Sequence, residues 1–524
     1  MPQSRDRVIA VVVLGLIMLA RGLITFGQPG PVRPARNAHP NDIPRSPYIS
    51  RPEDCEKCHS HPEDWKQEDV ICRMNESLTW WREDRHRKAF VSFNIPNSRA
   101  QEIGTRLGID VTIHRACLAC HSVIDWTTGD PNVPGSKDPI PMPGFDRASN
   151  GVSCVACHGA FKEWVLEHPL YRDPSWRKYN RQDKERLKGM LDLWNPVTRA
   201  AKCLSCHVGK ADEDKVLTHA TYAAGHPRLP GIEVFTFCQA TPRHWEYLDE
   251  KLKRLGNTKP EVQAAITRTF DLGRLEHTEL VAISGIVLFR ETLTLLVAQM
   301  DVTGNANPSW PELSSFDCSA CHHDLKAPGW RQARAVGGTH GRPTLPSWPT
   351  SLVRLGVVAA DPKKAPLRLK EFESKLRDLQ TVITSKPFGD SVMTLAAANV
   401  LIAWANPIIA DLSRVKIDRP LALELLDRTI EEAQWRKPDF DTARQLFWAY
   451  RAIYEELEPK VDLQAAVPAL VSAIDAEFSF GLPSAGLQEP IEKTIASRLQ
   501  ASADYDADKF ITRFLKLPNQ AHLK

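Results

Sequence analysis

Five copies of one short motif constrain this 524-residue chain more than any other feature. Cys-x-x-Cys-His occurs at Cys55–Cys58–His59, Cys117–Cys120–His121, Cys154–Cys157–His158, Cys203–Cys206–His207 and Cys318–Cys321–His322. Ten of the 12 cysteines belong to it. The spacing is the attachment signature for c-type haem: two sulfurs form thioethers to the porphyrin, and the following imidazole binds the iron from one face. Zinc ribbons pair two C-x-x-C units without needing a histidine after each, and disulfides do not need it either. Five covalently held haem c groups, with iron, are therefore expected.

The intervals between first cysteines are 62, 37, 49 and 115 residues, so no solenoid repeat is present. Strand patterns are scarce between residues 54 and 350, while Pro and Gly are frequent. The expected fold is mainly α: short helices and long loops wrapped around haems, followed by a helical bundle. Arg181–Trp194 has a helical pattern. So does Pro260–Met300, with Leu280, Ile283, Ile286 and Phe289 on one apolar face.

From about residue 351 the character changes. No cysteine follows Cys321, and His522 is the one histidine beyond His340. Leu369, Phe372, Leu376, Leu379 and Ile383 recur at helical spacing. Leu423, Leu426, Ile430 and Ala433 do so too, as do Leu446, Phe447, Tyr450, Ile453, Tyr454 and Leu457. Residues 351–524 are expected to form a helical bundle, with a docking or assembly role inferred by elimination.

The N-terminus carries a targeting signal. Arg5 and Arg7 precede an apolar run from Val8 to Ala20, which has signal length and is too short to span a bilayer alone. Two outcomes stay open for residues 1–28: a cleaved export signal, or an anchor running to Phe26. Either places the body in the periplasm or another extracytoplasmic compartment. Residues 29–53 hold seven prolines and are expected to be an extended linker. The formal charge of +3 and the absence of a basic tract argue against a nucleic-acid partner. No phosphate-binding glycine loop, nucleophile elbow or H-E-x-x-H is present.

Each haem needs a sixth ligand or an open face, and that choice decides the chemistry. Twelve of the 17 histidines lie outside the motifs, ten of them between residues 61 and 340. Met74, Met142, Met190 and Met300 are weaker candidates.

The first-motif segment with His86 in Arg85-His-Arg-Lys-Ala89, then Cys117–His121, then Gly151-Val-Ser-Cys-Val-Ala-Cys-His-Gly159 resemble the multihaem cytochrome c family. That family includes the tetrahaem electron acceptor of hydroxylamine oxidoreductase. The resemblance covers about residues 50–245, including Cys203–His207 and Ala224-Gly-His-Pro-Arg-Leu229. It implies that His86 caps a later haem, that His168 is a second distal ligand, and that His219 or His226 is another. It also implies an open face on the haem of His121, although His114 lies close in sequence.

The fifth motif is an addition to the tetrahaem pattern. His323 would have to serve a neighbouring haem, and His340 and His244 are further candidates near that site. Arg228, Arg243 and Arg342 are candidate propionate partners. Cys72 and Cys238 remain as a possible disulfide in an oxidising compartment.

Two functions follow. One is an electron carrier between a redox protein donor and a redox protein acceptor. The other is a multihaem oxidoreductase acting on nitric oxide, hydroxylamine or nitrite at one open haem.

Overall fold

Four of the five motifs close a helix, and the histidine is its last residue. This follows from the spacing: on a helix, Cys i and Cys i+3 share a face, and the histidine at i+4 follows one turn above the first cysteine. The computed structural model describes residues 52–61, 72–123, 151–159, 164, 168, 176, 179–256, 260, 264, 266, 273–300, 310–323, 325, 341–435, 437–459, 504–519 and 523. The export segment, most of the proline-rich linker, His39, Met142, His340 and His522 lie outside them.

The chain opens with α1 (Pro52–His59), α2 (Glu76–Glu83), α3 (Arg99–Leu107), α4 (Arg115–His121) and α5 (Cys154–His158). There follow α6 (Arg181–Lys188), α7 (Pro196–His207), α8 (His219–Ala223), α9 (Val234–Ala240) and α10 (Leu248–Leu255). Then come α11 (Glu276–Met300), α12 (Val353–Ala360), α13 (Ala365–Ser385), α14 (Ser391–Leu412), α15 (Arg419–Trp435), α16 (Phe440–Leu457) and α17 (Ala507–Phe514). Among the described residues there is no strand; Lys210 and Lys215 form an isolated bridge. The mainly α expectation holds.

Helix α6 is shorter than the Arg181–Trp194 pattern. Asn180 caps its start by accepting from the Asp183 N–H, and Gly189 at φ 73° ends it in the left-handed region. Helix α7 begins at Pro196 behind the Asn195 cap and runs directly into the fourth motif. The fifth motif lacks a full helix. Asp317 caps a 3-10 turn over Cys318–Ala320, and the His322 N–H still reaches the Cys318 carbonyl at 2.7 Å.

Two kinds of core hold these pieces. Around the first three motifs the apolar clusters are small: Phe90, Phe93, Ala100, Val111 and Leu118 form one, and Trp164 with Trp176 forms another. From Ala200 to Leu517 a single larger core runs through α7, α9 and α11 to α17. Its centre is α11, which is apolar nearly all round and buried from Thr278 to Phe289. Residue 350 marks a change in composition, and the packed core continues across it.

Helices α11 and α14 are long and apolar enough by composition to cross a membrane, yet 67% and 39% of their apolar windows are buried against the rest of the fold. Helix α12 crosses α11 closely. A Cβ on Gly285 would stand 2.6 Å from Leu352 Cβ, and one on Gly356 would stand 2.7 Å from the Ala282 carbonyl.

Candidate haem-binding sites

Each of the five motif histidines has a second imidazole across from it. The ring centroids of His59 and His168 are 6.0 Å apart. His121 faces His226 at 6.3 Å, His158 faces His244 at 6.4 Å, His207 faces His86 at 6.3 Å, and His322 faces His219 at 6.3 Å. We number these sites one to five in motif order: His59, His121, His158, His207, His322.

Aromatic rings in direct contact adopt a broad range of separations, about 4.5–7 Å, tied to their mutual tilt. Here the separation stays within 6.0–6.4 Å while the interplanar angle runs from 15° to 90°. A fixed distance with free rotation about the axis is what one atom bonded to both rings imposes. A metal–imidazole bond of about 2 Å on each side, plus roughly 1 Å from nitrogen to ring centre, gives a centroid separation of about 6 Å. The residues therefore fit an iron porphyrin with axial histidines on both faces.

Hydrogen bonds orient several rings. His59 Nδ1 lies 2.8 Å from Glu76 Oε2, and His86 Nδ1 lies 2.9 Å from Asp84 Oδ1. His121 Nδ1 meets the Ala89 carbonyl at 2.7 Å, and His226 Nδ1 meets the Pro227 carbonyl at 2.7 Å. In all four the acceptor holds Nδ1–H and leaves Nε2 free to face the partner ring. This second-shell device fixes a ligand's tautomer and raises its basicity.

Burial supplies the rest. It pushes His158, His168 and His207 down to about 4, so these imidazoles are neutral and able to donate a lone pair. At His59 and His86 burial acts in the same direction, but the carboxylates of Glu76 and Asp84 outweigh it and raise both. Trp164 and Trp176 pack edge-on against His168 at 5.1 and 5.5 Å.

The backbone brings distant segments together for this purpose. His86 belongs to the segment after the first motif but faces the fourth. Its carbonyl accepts the Val152 N–H at 2.9 Å, where the loop into the third motif crosses it. Gly151 sits at that crossing with φ 38°, and a Cβ there would meet the His86 carbonyl oxygen at 2.6 Å and collide with that of Arg87. Only glycine allows this approach. Trp80 Nε1–H donates to the Val152 carbonyl at 3.2 Å and ties α2 to the same loop.

Cysteines of different motifs are also neighbours. Cys55 lies beside Cys154, and Cys120 beside Cys206. Cys157 lies within electrostatic reach of Cys206. Site one thus adjoins site three, site three adjoins site four, and site four adjoins site two.

The sequence candidates fall out as follows. His86 and His168 each face a motif histidine. His219 and His226 are both used, at different sites, where the resemblance offered one or the other. The open face expected at His121 carries the His226 ring. His244, considered for the fifth motif, faces His158 of the third. At the fifth motif the ring facing His322 is that of His219.

Arg228 pairs with Asp441 at 3.2 Å, and Arg243 with Glu250 at 2.8 Å. Cys72 and Cys238 are not joined. Cys238 lies beside Cys203, while Cys72 lies beside Glu76 and Lys251. Met300 is buried core, and Met190 packs on the Trp164–Trp176 cluster.

A model of the family described as cytochrome c554 and c-prime matches residues 54–159, the stretch that holds the first three motifs. The match relates this segment to c-type cytochromes, which hold haem covalently and carry electrons. No curated protein and no solved structure matches the chain.

Proposed function

We propose that this chain is an exported pentahaem c-type cytochrome that passes electrons between a redox protein donor and a redox protein acceptor. The observation that carries this reading is the set of five imidazole pairs at one common separation. Haem iron supplies the one-electron couple when bound. The chain's own residues do the remaining work. The ten motif cysteines hold the cofactors through repeated redox cycles. His59 with His168, His121 with His226, His158 with His244, His207 with His86 and His322 with His219 fill both axial positions. Glu76, Asp84 and two backbone carbonyls keep Nε2 of four of these rings turned inward.

Closed axial positions favour outer-sphere electron transfer and leave no coordination site for a substrate. The alternative, an oxidoreductase acting on a small nitrogen compound, needs one face without a ligand. The placement of His226 weighs against it at the site where the resemblance expected that face.

The test is a haem count with a spin-state spectrum of the purified holoprotein. Five haems per chain, all low-spin in the ferric state, is the expected result. A high-spin ferric signal that shifts with nitric oxide or cyanide would favour the oxidoreductase. The N-terminal segment and the extracytoplasmic setting belong to the same proposal: haem c is attached outside the cytoplasmic membrane, so the body must be exported to be loaded.

A further inference from the structure

The fifth motif has no counterpart in the tetrahaem pattern, so where it joins the other four decides what it adds. Helix α8 and the turn after it provide the link. His219, the first residue of α8, faces His322 of site five. His226, at the end of the following turn, faces His121 of site two. The two ligands are seven residues apart in sequence, joined by the five-residue helix α8 and the turn at Gly225.

Both ends of this segment are fixed. Thr218 caps α8 by accepting the Thr221 N–H at 3.2 Å. Glu312 Oε1 accepts the His219 N–H at 2.7 Å and the Ser314 N–H at 2.9 Å, binding the start of α8 to the stretch that leads into Cys318. Ser314 Oγ–H donates to the Leu217 carbonyl at 3.1 Å. At the other end the His226 N–H reaches the Thr221 carbonyl at 3.1 Å. Tyr222 stands between the sites: its ring centroid is 6.2 Å from that of His226, and Cys318 lies near it as well.

We infer that the fifth haem extends the row at its second haem, giving the order one, three, four, two, five, with α8 and its turn as the shared wall between the last two. This rests on the five bis-histidine sites proposed above. In the row, one electron leaves one iron and arrives at the next; no bond forms or breaks, and donor and acceptor are redox proteins at the two ends. The second haem, which the tetrahaem pattern leaves open, becomes an inner member of the row, and the fifth becomes a terminus.

The experiment uses the full-length holoprotein with one haem marked. His226→Ala opens site two, and His168→Ala opens site one; each gives a single high-spin signal whose reduction potential can be followed alone. Each marked protein is compared with and without the paired change Cys318→Ala and Cys321→Ala, which removes the fifth haem. The expected result is a shifted potential for the His226→Ala signal and an unmoved one for His168→Ala. A shift at His168→Ala of equal or larger size, or none at either, overturns the order. If the double cysteine variant fails to accumulate, His322→Met alters the fifth haem in place and the same comparison applies. Failure of the underlying reading looks different: the unmodified protein would already hold fewer than five haems or show high-spin iron.

Discussion

The ring of His86 stands edge-on to that of His207, 6.3 Å away at an interplanar angle of 90°, and Asp84 holds its Nδ1 from behind at 2.9 Å. A residue from the segment after the first motif thus faces the histidine of the fourth. Removing it should open that site alone. His86→Ala is expected to convert one low-spin haem in five to high-spin, with all five still attached by mass. Electron paramagnetic resonance reads the change. Asp84→Asn should leave the ligand in place and lower the potential difference it imposes, because a neutral amide polarises Nδ1–H less than a carboxylate does. Equal high-spin content in wild type and His86→Ala would remove His86 from the site.

The crossing of α11 and α12 predicts a packing penalty. Alanine is ordinarily better than glycine inside a helix by about 0.5–1 kcal/mol. At Gly285 the added methyl would press on Leu352 Cβ and its carbonyl, at 2.6 and 2.9 Å, and neither belongs to a flexible side-chain end. Overpacking of this kind costs about 1–3 kcal/mol, so the penalty wins. Gly285→Ala should lower the denaturant midpoint of the holoprotein without changing its haem count.

Two half-buried carboxyls at the start of α11 give a pH dependence. Burial raises Glu276 and Glu456 to about 7 from an ordinary 4.5. Glu456 accepts the His277 and Thr278 N–H groups, both at 2.9 Å, at the open end of α11. A carboxyl whose folded value stands above its unfolded one binds its proton more tightly when folded. Its contribution is full below about 4.5 and is lost as pH rises through about 7. Thermal midpoints compared at pH 5 and pH 8 should therefore fall less in Glu276→Gln than in wild type. An identical fall in both proteins would show that Glu276 titrates normally.

Thiol chemistry offers a separate check on cysteine use. With ten sulfurs in thioethers, Cys72 and Cys238 should be the two that react with a thiol reagent after the holoprotein is unfolded without reductant. Zero would mean that they pair. Cys238 lies against Cys203, a haem-attaching residue, so Cys238→Ala should leave the haem count at five and reduce the reactive thiols from two to one.

Much of this was legible in order along the chain. The attachment motifs declare themselves because thioether chemistry demands two sulfurs and an imidazole at fixed local spacing, and a helical turn satisfies that spacing by itself. The helix Phe440–Leu457 was legible from the helical spacing of Leu446, Phe447, Tyr450, Ile453, Tyr454 and Leu457. Helix ends were less so: the Arg181–Trp194 pattern ends six residues early, at Lys188, where Gly189 caps it.

The distal ligands were a different problem. His219 and His226 looked like alternatives for one site, yet His219 faces His322 and His226 faces His121, and His244 faces the third motif instead of the fifth. A distal histidine is defined by where its ring stands in space, and nothing local in the sequence around it records which iron it faces. Local covalent spacing alone therefore determined where the five motifs stand and which ten sulfurs they present. Only the tertiary structure decided which histidine faces which motif, because those contacts join segments as far apart as His86 and His207 through backbone crossings such as the one at Gly151.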